Sequence, residues 1–391
     1  MAKALEDVKV LDFTRVFAGP FCTLQLADLG AEVIKVEIPG AGDAIRFDPP
    51  RTEGGEGGIF IILNRGKKSI TLNLATERGC EICKELVKKV DVVVENFSPG
   101  VMDRLGLSYD ELKKVNPGLI YASVSGFGHT GPYSARPSYD PIAQAMGGFM
   151  SVTGVYEGDP LLAGTAIGDY FPGLYAAIGI LAALRHKSRT GEGQHIDISM
   201  QDAIWATTAV TTLPAYFLGG EPPSRQGNRG QVYRAKDGHV IISVGNLGQW
   251  NNFLRILERE DLIGLEKYSS WNQRAQHLDE LTPIIESWTT QRTVDNVVQT
   301  LSDAHLPCST VPTFEQVLND PQLLSRGMLT EVEQVISGRV KVPGSPLKLS
   351  KTPVNASPPA PFLGEHNYEV YSNLLGYSEE EIGKLADDGV I

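Results

Sequence analysis

A chain of 391 residues, 42% of them apolar, exceeds what one core usually fills, so two domains, or one interrupted by another, are expected. Its formal charge of −12 argues against a nucleic-acid partner and leaves any anionic ligand to a local basic pocket. Four cysteines are too few for a disulfide framework, and Met1 to Asp7 carries no apolar secretory core, so a soluble cytoplasmic protein is expected.

From Val8 to Phe127, short β-branched runs alternate with amphipathic stretches, the pattern of βαβ units. Strands are predicted at Val8–Phe13, Glu32–Glu37, Ser69–Leu74, Val90–Glu95 and Leu119–Val124, with helices at Pro20–Gly30, Thr76–Lys89 and Val101–Lys114. The expected fold class is α/β: a doubly wound, mainly parallel sheet with its ligand at the carboxyl ends of the strands. The Gly- and Pro-rich segment Ala41–Gly58 reads as a functional loop. Apolar helices follow at Pro141–Met150 and Phe171–His186, then a strand at Gln194–Ser199 and a helix at Asp202–Leu218. The apolar run Tyr170–Leu184 is too short for a bilayer and reads as a core helix.

A linker at Gly219–Pro223 separates residues 1–220, a large α/β domain, from residues 221–326, a smaller α+β domain. The small domain is predicted to hold strands at Val232–Ala235 and His239–Val244 and a last one near Pro307–Thr313. Residues 327–391 form a return segment and arm on the large domain, and their Pro-rich stretch Lys351–Pro361 is expected to be extended and to wrap a partner subunit.

The turn Thr14–Pro20 stands where dinucleotide enzymes carry G-x-G-x-x-G, yet has Gly19 alone, and neither a P-loop nor a G-x-S-x-G elbow occurs. Cys80 and Cys83 lack the further ligands of a zinc site. Arg15, Arg46, Arg65, Lys67, Lys68 and Arg104 fall near predicted strand ends, where a basic rim suits a polyphosphate ligand. His129, in a glycine-rich turn, is an ordinary turn residue or a proton carrier. Asp169, between glycines before an apolar helix with Pro172 in its first turn, suits a helix cap or a nucleophile; Asp140, before Pro141, is a second carboxylate in capping context.

Taken together, Leu11–Pro20, Ala27–Glu37, Asn64–Ser69, Glu95–Gly100, Gly126–Pro132 and Gly168–Tyr170 resemble the class III CoA-transferases, and the likeness extends to Pro361–His366. The resemblance implies two interlocked chains forming a homodimer, an acyl-CoA and a carboxylic acid as substrates, no metal, and Asp169 as the nucleophile that carries CoA as an aspartyl thioester. It places CoA contacts at Val16, Phe17, Ala18, Leu72, Asn73, Leu74, Ala75, Asn96, Phe97, Ser98, Arg104, Tyr139 and Asp140, with Gly245–Gln249 as a weaker counterpart of the family's active-site loop. Formyl-CoA transferases have glutamine where this chain has Phe17 and arginine where it has Ile38, so formyl specificity is not implied, and Arg46 is expected to replace the missing cation. Succinyl-CoA is a frequent donor in the family and Arg15, Arg46 or Arg136 could hold its second carboxylate, while Phe17 and Tyr139 equally allow a bulkier or more apolar acid. Two alternatives stay open. An α-methylacyl-CoA racemase would need a histidine where this chain has Tyr139, and a noncatalytic CoA-binding subunit would not need the intact Asp169.

Overall fold

The computed structural model describes residues 2–154, 158–218, 231–354 and 358–391, which form two compact units. The first comprises residues 1–149, 163–209 and 322–391, the second residues 150–162 and 210–321. The linker expected at Gly219–Pro223 and part of the Pro-rich stretch lie outside the described residues.

In the first unit the chain runs β1 (Lys9–Asp12), α1 (Ala18–Asp28), β2 (Glu32–Glu37), α2 (Gly58–Asn64), β3 (Lys68–Thr71), α3 (Glu77–Val87), β4 (Val92–Glu95), α4 (Val101–Arg104), α5 (Tyr109–Leu112) and β5 (Ile120–Ser125). It continues through α6 (Asp140–Met146), α8 (Ile167–Thr190), β6 (His195–Ser199) and the first part of α9 (Met200–Phe217), while most of α7 (Phe149–Val152) and the end of α9 fall in the second unit. All neighbouring strands of its six-stranded sheet are parallel, in the order β3-β2-β1-β4-β5-β6. This is the doubly wound sheet expected from the alternating pattern.

Both faces of the sheet are covered, which is why its strands read as continuous β-branched runs. Leu11, Ile34 and Val93 face the helix α3, whereas Val10, Val33, Val92 and Val94 face α1 and α8. Helices α1 and α8 approach closely because Gly173 has no side chain: a Cβ there would lie 2.7 Å from the Ala18 carbonyl oxygen.

Some expected elements differ for local reasons. The helix expected over Val101–Lys114 is broken into α4 and α5 by Gly106, whose φ is +65°. The helix expected from Phe171 begins at Ile167 instead, so Pro172 lies inside its second turn and removes one intrahelical hydrogen bond. At 24 residues α8 is also long and apolar enough to cross a bilayer by length and composition, which corrects the expectation that it is too short. Its inner face, with Ala176, Ala177, Ile180 and Ala183, is nonetheless buried on the sheet.

The second unit contains β7 (Val232–Arg234), β8 (His239–Ile242), α10 (Leu247–Ile256), α11 (Trp271–Gln276), α12 (Leu278–Thr289), α13 (Val294–Asp303), β9 (Cys308–Thr310) and α14 (Phe314–Leu318). Its three strands form an antiparallel sheet around Trp250, Phe253, Leu281 and Val297. The chain then passes through α15 (Pro321–Ser325) and returns to the first unit as the hairpin β10 (Leu329–Gln334) and β11 (Gly338–Pro343), followed by α16 (Asn367–Leu375) and α17 (Glu379–Asp387). The α16 helix covers the edge strand β3: Asn367 accepts from the Thr71 N–H at 2.8 Å, and Tyr371 donates to the Thr71 carbonyl at 2.7 Å. An otherwise open edge is thereby closed.

Candidate active site

Asp169 is the third residue of α8 and does not cap it, because the preceding Ala166 occupies the cap position without a side-chain bond. The capping is done across the fold by Asp140, the first residue of α6, whose Oδ1 accepts from the Gly168 N–H at 2.7 Å. That approach requires glycine at 168, since a Cβ there would fall 2.8 Å from the same carboxylate oxygen. Gln144, one turn along α6, donates to both Asp140 oxygens at 3.0 and 2.9 Å and accepts from the Ala163 N–H at 2.9 Å. Its i, i+4 relation to Asp140 on a helix is the signal that could have flagged it in the sequence.

With its capping role taken by Asp140, Asp169 is left half-buried and, among the described residues, without a cation partner. Burial, reinforced by the negative charge of Asp140, pushes its carboxyl up to about 7. An aromatic cluster stands beside it: Tyr170 lies 4.8 Å from Phe21 and 6.2 Å from Phe17, centroid to centroid. Phe17 and Ala18, at the start of α1, are thus brought to the Asp169 turn; Val16 precedes them with φ +66°. Tyr139 is 73% exposed.

A cleft of about 340 Å³ opens at the carboxyl ends of β1 to β4, lined by Phe13, Arg15, Ile38, Leu72, Asn73, Leu74, Ala75 and Phe97. Leu74, Ala75 and Leu105 continue it into a second space of about 430 Å³ that Arg104 and Lys84 border. Neither cation is in an ion pair among the described residues. Apolar walls leading to two free cations are a shape and charge suited to a nucleotide and its phosphates. The residues of the β4 turn are locked to the β1 turn, since Asn96 accepts from the Arg15 N–H and donates to the Arg15 carbonyl, both at 2.8 Å, while Arg15 stacks 4.8 Å above Phe97. Ser98 is exposed on the same turn.

The expected basic rim is largely internal. Arg46 is buried, its guanidinium bonded to Glu37 at 2.7 Å and to the Pro361 carbonyl at 3.0 Å and stacked 4.0 Å over Phe60. It therefore does not replace the cation absent at Ile38. Arg65 pairs with Asp28, Lys67 with Asp12 at 3.1 Å, and Lys68 with Glu369 at 2.7 Å, so of the six only Arg15 and Arg104 border the cleft. Lys84, which reaches the cleft from α3, was not singled out in the sequence because its helical position looks like ordinary solvated surface. His129 packs behind the β4 turn, its Nε2 3.8 Å from Glu95 and its N–H bonded to Asp197 at 3.0 Å. Burial pushes the Cys83 thiol up, and among the described residues no acid, histidine or cysteine cluster suits a metal. In the second unit Gly245–Gln249 opens α10, with Asn246 capping the Gln249 N–H at 2.8 Å.

A parallel sheet with an apolar, cation-ended cleft and, among the described residues, a half-buried aspartate without a cation partner suits an enzyme that takes an anionic ligand. The pattern that characterises CoA-transferase family III matches residues 5–367, and the chain belongs to that family. It is similar to succinyl-CoA:mesaconate CoA-transferase of Haloarcula marismortui (40% identity, 94% of this chain and 95% of that protein). Human succinyl-CoA:glutarate CoA-transferase is 37% identical over 100% of this chain and 90% of its own length. Among solved structures, a CAIB/BAIF family protein from Brucella suis superposes with a TM-score of 0.85 at 36% identity, covering 96% of this chain and 100% of that one. The protein is a class III CoA-transferase.

Proposed function

We propose that the protein moves CoA from succinyl-CoA to a second free carboxylic acid through a covalent aspartyl-CoA thioester on Asp169. The observation that carries this reading is the half-buried Asp169 carboxylate, held near pH 7 beside Asp140 with no neutralising cation among the described residues. Ionised Asp169 attacks the thioester carbonyl; the C–S bond breaks, CoA leaves as thiolate, and a mixed anhydride joins Asp169 to the acyl group. The thiolate then attacks the aspartyl carbonyl of the anhydride, forming the aspartyl-CoA thioester and releasing the donor acid as carboxylate. An acceptor carboxylate runs the two steps in reverse, which regenerates Asp169. No step gains or loses a net proton, so the cycle needs no general acid. Burial that disfavours the charged carboxylate favours the neutral acylated forms by the same electrostatics.

Two relatives, succinyl-CoA:glutarate and succinyl-CoA:mesaconate CoA-transferases, support succinyl-CoA as the donor. In this reading the cleft holds the nucleotide of CoA, with Leu72 to Ala75 and Phe97 on its walls and Arg104 and Lys84 at its phosphates. A homodimer, cytoplasmic and interlocked, completes the proposal. Association of two copies is supported by the outer face of α8, where Leu174, Tyr175, Ile178 and Leu181 are exposed on a long apolar helix, Ile178 by 61%. The test is mass spectrometry of the protein incubated with succinyl-CoA. CoA mass attached to the peptide carrying Asp169 is expected; no adduct, together with transfer retained in Asp169→Ala, overturns the mechanism.

A further inference from the structure

The turn that joins β1 to α1 contains a backbone conformation its sequence does not favour. Val16 has φ +66°, a region that crowds a β-branched side chain and that glycine enters without cost. A set of buried bonds converges on it. The Val16 N–H donates to both oxygens of Asp43 at 3.3 Å. Asp43 is paired with Lys35 at 2.9 Å, and its own N–H donates to Glu37 at 2.9 Å. Lys35 also donates to the Thr14 carbonyl at 2.7 Å, so one ammonium grips both sides of the turn. Lys35 is 0% exposed and Asp43 2%, and a charge pair so deeply buried is an expensive way to gain stability alone. The strained residue adjoins Phe17, whose ring meets Tyr170, the neighbour of Asp169. Strain held by its surroundings next to a reacting group is a recurring device of active sites.

We propose that Lys35 and Asp43 are positioning residues that hold Val16 in the left-handed conformation and so seat the Phe17–Ala18 backbone against the Asp169–Tyr170 turn. Neither touches substrate; they act through the geometry of the turn. The catalytic half of this inference rests on the reading of Asp169 as nucleophile, whereas the strain half does not.

Two measurements on the full chain test it. Val16→Gly and Val16→Ala lose nearly the same apolar contact, and at an ordinary position the glycine variant is the less stable. Here the order inverts: Val16→Gly is expected to melt above Val16→Ala by roughly 2 °C, because only alanine keeps the strain. Val16→Ala melting higher overturns the strain. In the second, exchange of isotopically labelled succinate into succinyl-CoA is followed. Lys35→Met/Asp43→Asn, which removes both buried charges together, is expected to lower kcat about tenfold with KM within about threefold, as a displaced catalytic turn would. Adding Val16→Gly should recover much of that loss, since glycine takes the conformation unaided. An equal kcat loss in both backgrounds, or a loss confined to KM, overturns the positioning role. Exchange that survives Asp169→Ala would instead refute the nucleophile and leave the order of the two melting points to decide the strain.

Discussion

Two carboxylates of the first unit, Asp12 on the sheet and Asp169 on the helix that covers it, lead opposite lives. Asp12, at the end of β1, is fully buried; burial alone would raise its carboxyl, but Lys67 and Lys35 and bonds from Thr14 and Thr23 bring it below the usual range. Glu37 is likewise lowered against burial by Arg46, Lys35 and Ser69. Asp169 has the burial without the cations, and its nearest charged neighbour is another carboxylate. The difference teaches that burial without a cation raises a carboxyl, whereas burial with paired cations lowers it and ties it into the scaffold.

Removing the reactive member should have the largest effect. Asp169→Ala is expected to lower CoA transfer by roughly 10⁴-fold, measured by exchange of a labelled acid, while leaving the fold intact. A residual rate within tenfold of the parent would break the contrast between the two carboxylates. Removing a cation from the scaffold should instead unfold: Lys67→Met leaves Asp12 buried with less compensation and is expected to cost about 3 kcal/mol in denaturant titrations. If that variant is as stable as the parent, Asp12 is not held by its pair.

The pH dependence follows with opposite signs. Asp169 has a folded value of about 7, above its ordinary value of 3.8, so the folded chain keeps a proton that the unfolded chain releases between those limits. Its contribution to stability is full below the ordinary value and is lost as pH rises toward 7. Asp169→Asn should therefore gain on the parent in thermal melts at pH 8, by on the order of 2 kcal/mol, and not at pH 4. Asp12 and Glu37, lowered on folding, stabilise above the ordinary carboxylate range and lose that contribution as pH falls through their depressed values. The first-step rate should fall about tenfold per pH unit below 7, as the nucleophile is protonated. A rate flat from pH 5 to 8 would mean that Asp169 is ionised throughout.

The smallest effect sharpens the cleft rather than the carboxylates. Arg104→Ala and Lys84→Ala are each expected to raise KM for succinyl-CoA by roughly three- to tenfold with kcat little changed, since each removes one cation bordering the proposed phosphate site. Dephospho-CoA thioesters should be less sensitive to whichever residue meets the 3′-phosphate.

Much of this was legible in the chain. The runs Glu32–Glu37 and Val92–Glu95 announce buried parallel strands because both faces are covered, and the glycines around Asp169 mark a close approach. The hairpin β10–β11 was not legible, because its strands are half-exposed, carry Glu331, Glu333, Arg339 and Lys341, and lack the β-branched density of the main sheet. The fate of the basic residues was hidden as well. Arg46, Arg65 and Lys67 look in sequence like Arg104, yet the first three turn inward to Glu37, Asp28 and Asp12.

The sequence by itself determined the alternation of strand and helix, the family, and the presence of an aspartate poised between glycines. Only the tertiary structure decided which carboxylate caps and which is left without a cation. A local pattern states that Asp169 can cap α8; that Asp140, 29 residues earlier, takes the Gly168 N–H instead is a contact between two helices, and it leaves Asp169 half-buried and, among the described residues, without a cation partner. Charge pairing in a core depends on which side chains meet across the sheet, and sequence spacing carries no record of that meeting.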